Sequence, residues 1–278
     1  MTRSIATTAD RVVRTDDGAE LAVTVEEPRD ERAPTVVLLH GWGAARAVWH
    51  EAVGELLTAG HRVVRYDHRG HGASTVGKDG ITVPRLGADL AAVLAQLDIT
   101  GAVVVGHSGG GFAAMAYATT YRAEAEARIR SLVLLATAAH DRKEPDSEVK
   151  MMGNPVFHWA LNRGPIGRAM LRQTLGADPS AAVAEANRRM FAATPRKVRS
   201  AYFGCMGEMD MRADLATVSI PAVVIAGSRD KMIRPELGAV VAASLPDAEF
   251  RIAQGIGHMV PLEAPALVVE AVTEMSSR

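Results

Sequence analysis

A serine set between glycines follows a buried apolar run, and it carries the clearest chemical signal in the chain. The apolar run is Ala102-Val103-Val104-Val105, and Gly106-His107-Ser108-Gly109-Gly110 follows it directly, before a helix-forming segment at 112–121. A serine at a sharp strand-to-helix turn holds its hydroxyl above the sheet, and flanking glycines permit the close packing of such a turn. A pattern of only five residues, with glycine two positions before and after a serine, also arises by chance. It indicates a nucleophile, provided that a base, an acid and oxyanion donors are present as well.

His258 and Asp230 are the candidates for the base and the acid that would activate this serine. His258 lies in Gly255-Ile256-Gly257-His258-Met259, a glycine-containing loop after the last predicted strand. Asp230 follows the strand predicted at 222–226, and functional groups of parallel sheets gather at the carboxyl ends of strands. Asp141 is the rival for the acid, and we favour Asp230 over it.

The loop His40-Gly41-Trp42-Gly43 follows the strand predicted at 35–39 and supplies a further feature of acyl-transfer sites. Its glycines allow the backbone to approach a ligand closely. The Trp42 and Gly109 N–H groups are predicted to form an oxyanion hole, which holds the negative charge that develops on an attacked carbonyl oxygen. The side chains expected to contact substrate are Trp42, His107, Phe157, Trp159 and Met259.

The remaining sequence predicts an alternation of strands and helices. A hairpin is predicted from strands at 11–14 and 21–25. Later strand candidates lack alternation, as expected for parallel strands buried on both faces. They lie at 35–39, 62–66, 102–105, 131–136, 222–226 and 249–252. Helices are predicted at 47–59, 85–97, 110–121, 236–243 and 262–276. The predicted fold class is α/β, with a doubly wound, mostly parallel sheet.

The segment 138–215 interrupts this alternation because it contains no convincing strand. Prolines and glycines divide it into short helical pieces. Seven methionines lie in it: Met151, Met152, Met170, Met190, Met206, Met209 and Met211. Most are expected to fill gaps between helices, and flexible apolar side chains of this kind can also line a substrate cleft. We predict a core of residues 1–137 and 216–278 and an inserted helical cap at 138–215.

Composition limits the class of protein. The chain has 278 residues, 48% hydrophobic and 23% charged, which is an ordinary globular composition. Its net charge of -1 argues against a nucleic-acid partner. The chain shows no signal pattern, and no apolar stretch reaches the roughly 18 residues of a membrane span. A single cysteine, Cys205, fits a reducing compartment, so a cytoplasmic location is predicted. The sequence does not indicate an oligomeric state.

Four motifs in this order resemble the α/β-hydrolase family over nearly the whole chain. Besides the serine motif and the loop at 40–43, the run Tyr66-Asp67-His68-Arg69-Gly70-His71-Gly72-Ala73-Ser74 resembles the D-x-R-G-x-G-x-S turn of that family. His68 and His71 in this turn are expected to be structural or solvent-facing. The ending Gly257-His258-Met259-Val260-Pro261-Leu262-Glu263 is a fourth match. The resemblance implies the serine-nucleophile branch of esterases and lipases, with the insertion as a lid over the serine.

Departures from the family pattern narrow the expected reaction. Epoxide hydrolases and haloalkane dehalogenases of the family use an aspartate at the position of Ser108 and usually a proline at that of Gly43, so those reactions are not expected. Perhydrolases and cofactor-free haloperoxidases keep the serine but commonly follow it with methionine, where this chain has Gly109. Carbon–carbon bond hydrolases also keep the serine, and hydrolysis of this kind remains an alternative function. A small-molecule receptor with an idle triad stays open as well.

The predicted function is cleavage of a carboxylic ester or a lactone with an apolar acyl or alcohol part. Ser108 attacks the carbonyl, His258 carries the proton to the leaving alkoxide, and Asp230 fixes the imidazole tautomer. The substrate is expected to be a small molecule. No metal or organic cofactor is implied, because the motif residues supply the nucleophile, the base and the oxyanion donors.

Overall fold

Eight strands form a single sheet in the computed structural model of the protein, which describes residues 7–140, 146–207 and 209–278. The strands are β1 (Thr7–Arg14), β2 (Glu20–Glu27), β3 (Ala33–Leu39), β4 (His61–Tyr66), β5 (Ala102–His107), β6 (Ile129–Leu135), β7 (Ala222–Gly227) and β8 (Ala248–Ala253). Their spatial order is β1-β2-β4-β3-β5-β6-β7-β8. β2 pairs antiparallel with both β1 and β4, and the other pairs are parallel. The predicted fold class and the opening hairpin are confirmed.

The helices of this described part lie between and after the strands. They are α1 (His50–Thr58), α2 (Val83–Gln96), α3 (Gly109–Thr120), α4 (Arg122–Arg128), α5 (Asp146–Gly153), α6 (Pro155–Leu161), α7 (Gly164–Met170), α8 (Ala181–Ala193), α9 (Arg196–Cys205), α10 (Arg212–Leu215), α11 (Pro235–Ser244), α12 (Val260–Glu263) and α13 (Pro265–Met275). The sequence had not predicted α4. The helix predicted at 262–276 is interrupted at Ala264, because Pro265 starts a new first turn there.

Both faces of the central sheet are buried, as the non-alternating strand sequences had indicated. Every residue of β5 and β7 is buried. Successive side chains of a strand point to opposite faces, so Val104 belongs to one apolar cluster and Val103 to the other. Strands covered on both sides leave their carboxyl ends as the accessible edge of the sheet. Functional groups of this chain are therefore expected at that edge.

The described part of the segment between β6 and β7 contains helices, loops and one isolated β-bridge between His140 and Asp210, and none of its residues belongs to a strand of the sheet. Helices α5 to α9, which we call the helical insertion (residues 146–205), have an apolar cluster of their own formed by Met152, Leu161, Leu171, Phe191, Ala192 and Phe203. Trp42 from the sheet side packs against this cluster. The division into a core and a cap at 138–215 stays a prediction. None of the described helices is long and apolar enough to cross a membrane.

Candidate active site

Ser108 occupies a strained turn between β5 and α3. Its φ of 51° and ψ of -116° are values that a residue with a Cβ adopts rarely. Three hydrogen bonds fix the main chain here, because the Ser108 carbonyl oxygen accepts from Gly111 N, Phe112 N and Thr137 Oγ1. Its own N–H donates to Leu135 O at 2.9 Å. This bonding keeps the hydroxyl at the carboxyl edge of the sheet.

Glycines are required around this turn by the space available. A Cβ on Gly110 would lie 2.2 Å from Leu39 O, and one on Gly106 would lie 2.6 Å from Gly110 O. Both contacts are with backbone atoms, which cannot move aside without shifting a strand. The two glycines that made the sequence motif recognisable therefore permit α3 to start directly against β3.

His258 and Asp230 complete a chain of hydrogen bonds to the serine. His258 Nε2 lies 3.1 Å from Ser108 Oγ, and His258 Nδ1 lies 2.8 Å from Asp230 Oδ2. The other carboxylate oxygen of Asp230 accepts from Met232 N and Ile233 N, which fixes the carboxylate plane. A carboxylate at Nδ1 selects the tautomer whose Nε2 carries no proton. The ring is then ready to take the proton of the serine hydroxyl.

The loop that carries His258 is held by residues from two directions. His107 is buried, and its Nε2 lies 2.7 Å from the His258 carbonyl oxygen. Burial lowers the pKa of His107 to about 3, so its ring is neutral. On the other side, His258 N donates to Thr174 O of the helical insertion at 2.9 Å. The insertion thus contacts the loop of the candidate base directly.

Glu263 braces the same loop through backbone amides. Its carboxylate accepts from Gly257 N and Met259 N, the neighbours of His258, and from Gly176 N of the helical insertion. Burial raises the pKa of this carboxyl group. The ending motif seen in the sequence therefore positions the histidine as well as supplying it.

The Trp42 and Gly109 amides lie side by side next to Ser108. A Cβ built on Gly109 would be 3.2 Å from Trp42 N. Neither N–H donates to an acceptor among the described residues. Two free N–H groups beside a serine hydroxyl are suited to bind a carbonyl oxygen as it becomes negative.

Two buried histidines hold the loop that contains Trp42. His40 Nδ1 lies 2.7 Å from Gly41 O, and His40 Nε2 accepts from His68 N. His71 Nε2 accepts the Gly43 N–H at 3.0 Å. Burial lowers the pKa of His40 to about 4 and that of His71 to about 3, so each ring keeps an acceptor nitrogen near neutral pH. His68 and His71 are both buried, so of the two roles expected from the sequence they have the structural one.

Two apolar cavities lie at the candidate active site, and both are lined by Trp42, Met232 and His258. The sheet-side cavity, of about 70 Å³, is further lined by Ser108, Phe112, Ala138, His140, Phe203, Met206, Met209, Ile233 and Leu237. The insertion-side cavity, of about 100 Å³, is further lined by Gly43, Met151, Met152, Phe157, Met170, Leu171, Gln173, Thr174, Asn187, Phe191 and Met259. Five of the seven methionines of segment 138–215 line one or the other.

The structure gathers three of the five side chains expected to contact substrate. Trp42, Phe157 and Met259 line the cavities. Trp159 is 54% exposed and lies under the Arg163 guanidinium, because it follows Phe157 by two residues and so points to the opposite side of α6. His107 lies behind the site against the His258 carbonyl and lines neither cavity. Asp141, the rival acid, falls outside the described residues.

Sequence reasoning missed Met232, Thr174 and Asn187. Met232 follows the candidate acid by two residues and joins both cavities. Asn187 Nδ2 donates to Thr174 Oγ1 at 2.8 Å in the wall of the insertion-side cavity. Isolated residues such as these belong to no motif or spacing that could have identified them. Across residues 7–140, 146–207 and 209–278, no group of three or more His, Cys, Asp or Glu side chains is arranged to hold a metal ion.

The fold agrees with a comparison to known families. A sequence profile of the alpha/beta hydrolase fold matches residues 34–203. The chain belongs to the α/β-hydrolase family. The match begins just before the Trp42 loop and ends at the last helix of the helical insertion. It therefore spans the candidate oxyanion donors and the serine of this α/β hydrolase.

Similar proteins of the α/β-hydrolase family are named as haloperoxidases or perhydrolases and as esterases. A non-heme chloroperoxidase of Kitasatospora aureofaciens is 28% identical over 244 residues, which covers 81% of this chain and 86% of that protein. A bifunctional esterase/perhydrolase of Acinetobacter calcoaceticus is 39% identical over 109 residues, or 39% of each chain. The structure of a thermophilic esterase from Thermogutta terrifontis matches with a TM-score of 0.77 and 28% identity, covering 96% of this chain and 97% of that one.

Proposed function

We propose that this α/β hydrolase cleaves carboxylic esters or lactones through a covalent acyl-enzyme. The observation that carries the proposal is the hydrogen-bonded relay from Ser108 through His258 to Asp230, with distances of 3.1 and 2.8 Å, beside two free amides. Each part has a separate role in acyl transfer, and together they supply the nucleophile, the proton carrier and the site for the oxyanion.

The reaction proceeds in two halves. Ser108 Oγ attacks the carbonyl carbon while His258 Nε2 takes its proton, and the Trp42 and Gly109 amides hold the resulting oxyanion. Collapse breaks the carbon–oxygen bond of the ester, and the imidazolium gives its proton to the leaving alkoxide. Water then attacks the acyl-enzyme in the same way, and the carboxylic acid leaves. Asp230 stays ionised and stabilises the imidazolium throughout.

The cavities support a substrate with apolar parts on both sides of the ester. Their walls are mainly methionine, phenylalanine, leucine and isoleucine, and both walls end at His258. Apolar walls of this kind favour short alkyl or aryl groups over polar ones. We assign residues 138–215 as the cap that closes these cavities over the serine.

A variant of the serine tests the proposal. Ser108→Ala should reduce turnover of a 4-nitrophenyl ester by about 10³-fold or more, because no nucleophile remains. A panel of acyl esters of increasing chain length, lactones and vinylogous diketones should show the highest kcat/KM on short apolar esters or lactones. Undiminished turnover by the folded variant, or a preference for the diketones, would contradict the proposal.

Perhydrolysis is the second candidate, and the names of the relatives favour it. Hydrogen peroxide can replace water in the second half, so that the acyl group leaves as a peracid and the serine is regenerated. The chloroperoxidase and the esterase/perhydrolase are similar to this chain over the parts given above. Bromination of monochlorodimedone in acetate, bromide and peroxide measures the peracid. We expect it to be slower than ester hydrolysis; a faster peracid reaction, lost in Ser108→Ala, would make perhydrolysis the main activity.

A further inference from the structure

A basic cleft lies outside the insertion-side cavity. It has a volume of about 570 Å³ and is lined by Ala169, Met170, Arg172, Gln173, Leu175, Gly176, Ala177, Arg229 and Lys231. Three of these residues carry a positive charge and none carries a negative one. The catalytic mechanism proposed above uses none of the three cations. Their presence around one cleft therefore needs a separate explanation.

The positive charges of the basic cleft are not neutralised by the described part of the chain. The Arg172 guanidinium donates to the carbonyl oxygens of Leu175, Gly176 and Ala177. These are neutral acceptors that fix the group without cancelling its charge. Among the described residues, no carboxylate forms an ion pair with Arg172, Arg229 or Lys231. The three cations therefore keep their charge, and the lining of the cleft contains no carboxylate to offset it.

Two acidic side chains near the cleft, Asp230 and Glu263, form hydrogen bonds elsewhere, whereas Asp178, next to the lining residue Ala177, is exposed. Asp230 lies between Arg229 and Lys231 in the chain, but it is buried and bonded to His258 while its two neighbours are exposed. Glu263 directs its carboxylate at three backbone amides. One short loop after β7 thus presents its acid inward to the imidazole and its cations outward.

The basic cleft adjoins the insertion-side cavity of the candidate active site. Met170 and Gln173 line both the basic cleft and the insertion-side cavity, whose far wall includes His258. A substrate that passes between these two side chains would extend from the apolar cavity into the basic cleft. Its outer end would meet guanidinium and ammonium groups, which bind carboxylate and phosphate oxygens.

We propose that the basic cleft binds a negatively charged substituent of the substrate, so that the preferred esters or lactones are apolar at the reacting carbonyl and anionic at the far end. This inference rests on the proposed function for its substrate. It places the anion outside the apolar cavities, where water screens it and burial costs little. The charge also attracts the substrate toward the entrance before it binds.

Matched pairs of esters test the inference. One pair is the 4-nitrophenyl ester of suberic acid with a free distal carboxylate and the same ester with that carboxylate methylated. The second pair is the butanoate ester of 4-hydroxybenzoate and the butanoate ester of its methyl ester, which puts the charge on the alcohol side. We expect kcat/KM to be higher for the anionic member of one pair by about tenfold, and this ratio to fall as salt is added.

Variants of the cations locate the effect. Arg229→Gln and Lys231→Gln should each lower the anionic-to-neutral ratio of kcat/KM by about threefold, as expected for exposed charges. Arg122→Gln, which removes an exposed cation on α4, is the matched control and should leave the ratio unchanged. Equal ratios in the wild type, or an equal response to Arg122→Gln, would overturn the inference while leaving the proposed hydrolase function intact.

A binding measurement separates this inference from the proposed function. Ser108→Ala protein is titrated calorimetrically with monomethyl suberate, an anion, and with dimethyl suberate, its neutral counterpart. Tighter binding of the anion, reduced by Arg229→Gln, supports the basic cleft whether or not the wild type turns over esters. Equal binding of the two compounds contradicts the inference about the basic cleft, again whether or not the wild type turns over esters.

Discussion

The two sides of the candidate active site are built in different ways. On the sheet side, Trp42, Ser108 and Asp230 each follow a strand, and backbone hydrogen bonds fix them. On the side of the helical insertion, the wall consists mostly of methionine and phenylalanine side chains, with one side-chain hydrogen bond between Asn187 and Thr174. We infer from this difference that the sheet edge determines the reaction and that the helical insertion determines which molecule fits. Substitutions at the edge should change kcat, and substitutions in the insertion should change substrate preference.

The largest effect is expected from Asp230→Asn at the sheet edge. Asparagine can still accept from Met232 N and Ile233 N, so the loop keeps its shape. Its amide nitrogen can face His258 Nδ1, which favours the tautomer with the proton on Nε2. We expect a loss of about 10⁴-fold in kcat with a thermal midpoint within a few degrees of wild type. A loss below about tenfold would show that this carboxylate is not the orienting acid.

Acid should destabilise the sheet side through its buried histidines. Burial lowers the pKa of His40, His68, His71 and His107 below the ordinary 6.5. In the unfolded chain they take up protons below about pH 6.5, whereas in the folded chain His40, His71 and His107 do so only near pH 4 or lower, and the pKa of His68 also lies well below 6.5. The free energy of unfolding should therefore fall with decreasing pH in that window, by about 1.4 kcal/mol per pH unit for each histidine.

Urea unfolding at several pH values between about 7 and 4 measures this slope. His71→Phe should reduce the slope of the free energy of unfolding against pH by the contribution of one histidine. His50→Gln, at an exposed histidine on α1, is the matched control and should leave it unchanged. A stability that stays constant over this range would contradict the buried, neutral histidines.

A smaller effect on kcat is expected when the His71 ring nitrogen that accepts the Gly43 N–H is removed. His71→Phe leaves the Gly43 N–H without its partner, which loosens the loop that presents the Trp42 amide. We expect kcat to fall about tenfold with little change in KM, because the lost bond acts on the transition state. His71→Gln offers a carbonyl oxygen to the same N–H and should recover most of the rate. Equal losses of kcat in both variants would show that His71 contributes through packing and not through its hydrogen bond.

The smallest effects should come from α6 of the helical insertion, and they should concern preference. Phe157→Ala enlarges the insertion-side cavity, so the ratio of kcat/KM for octanoate over butanoate esters should rise about fivefold. Trp159→Ala, two residues away and exposed, should change the ratio by less than about twofold. A similar response of both variants would show that this helix does not line the substrate site.

Strand positions and the strand-end residues could be predicted because they follow from short-range rules. Buried parallel strands are continuous apolar runs, and glycines mark the positions where α3 meets β3 too closely for a Cβ. Ser108, Asp230 and His258 were therefore found from sequence and lie together in the structure. The same rules missed α4, a short charged helix with a single buried residue, Ala125.

The wall of the helical insertion could not be predicted in the same way. Its helices are short, so the direction of each side chain depends on how neighbouring helices pack. Phe157 and Trp159 looked equivalent in sequence, yet only Phe157 faces the cavity. His71 looked like a turn residue, and only the folded chain places its ring against Gly43 N. Long-range packing decided each of these outcomes.

Covalent labelling with a fluorophosphonate tests most directly whether the sheet edge activates Ser108. The reagent requires a nucleophilic serine with an oxyanion site but no particular substrate. We predict one label per chain, mapped by mass spectrometry to the peptide containing Ser108, and a rate at least about 10²-fold lower in His258→Ala. Absence of label, label at another serine, or an unchanged rate in His258→Ala would contradict the account.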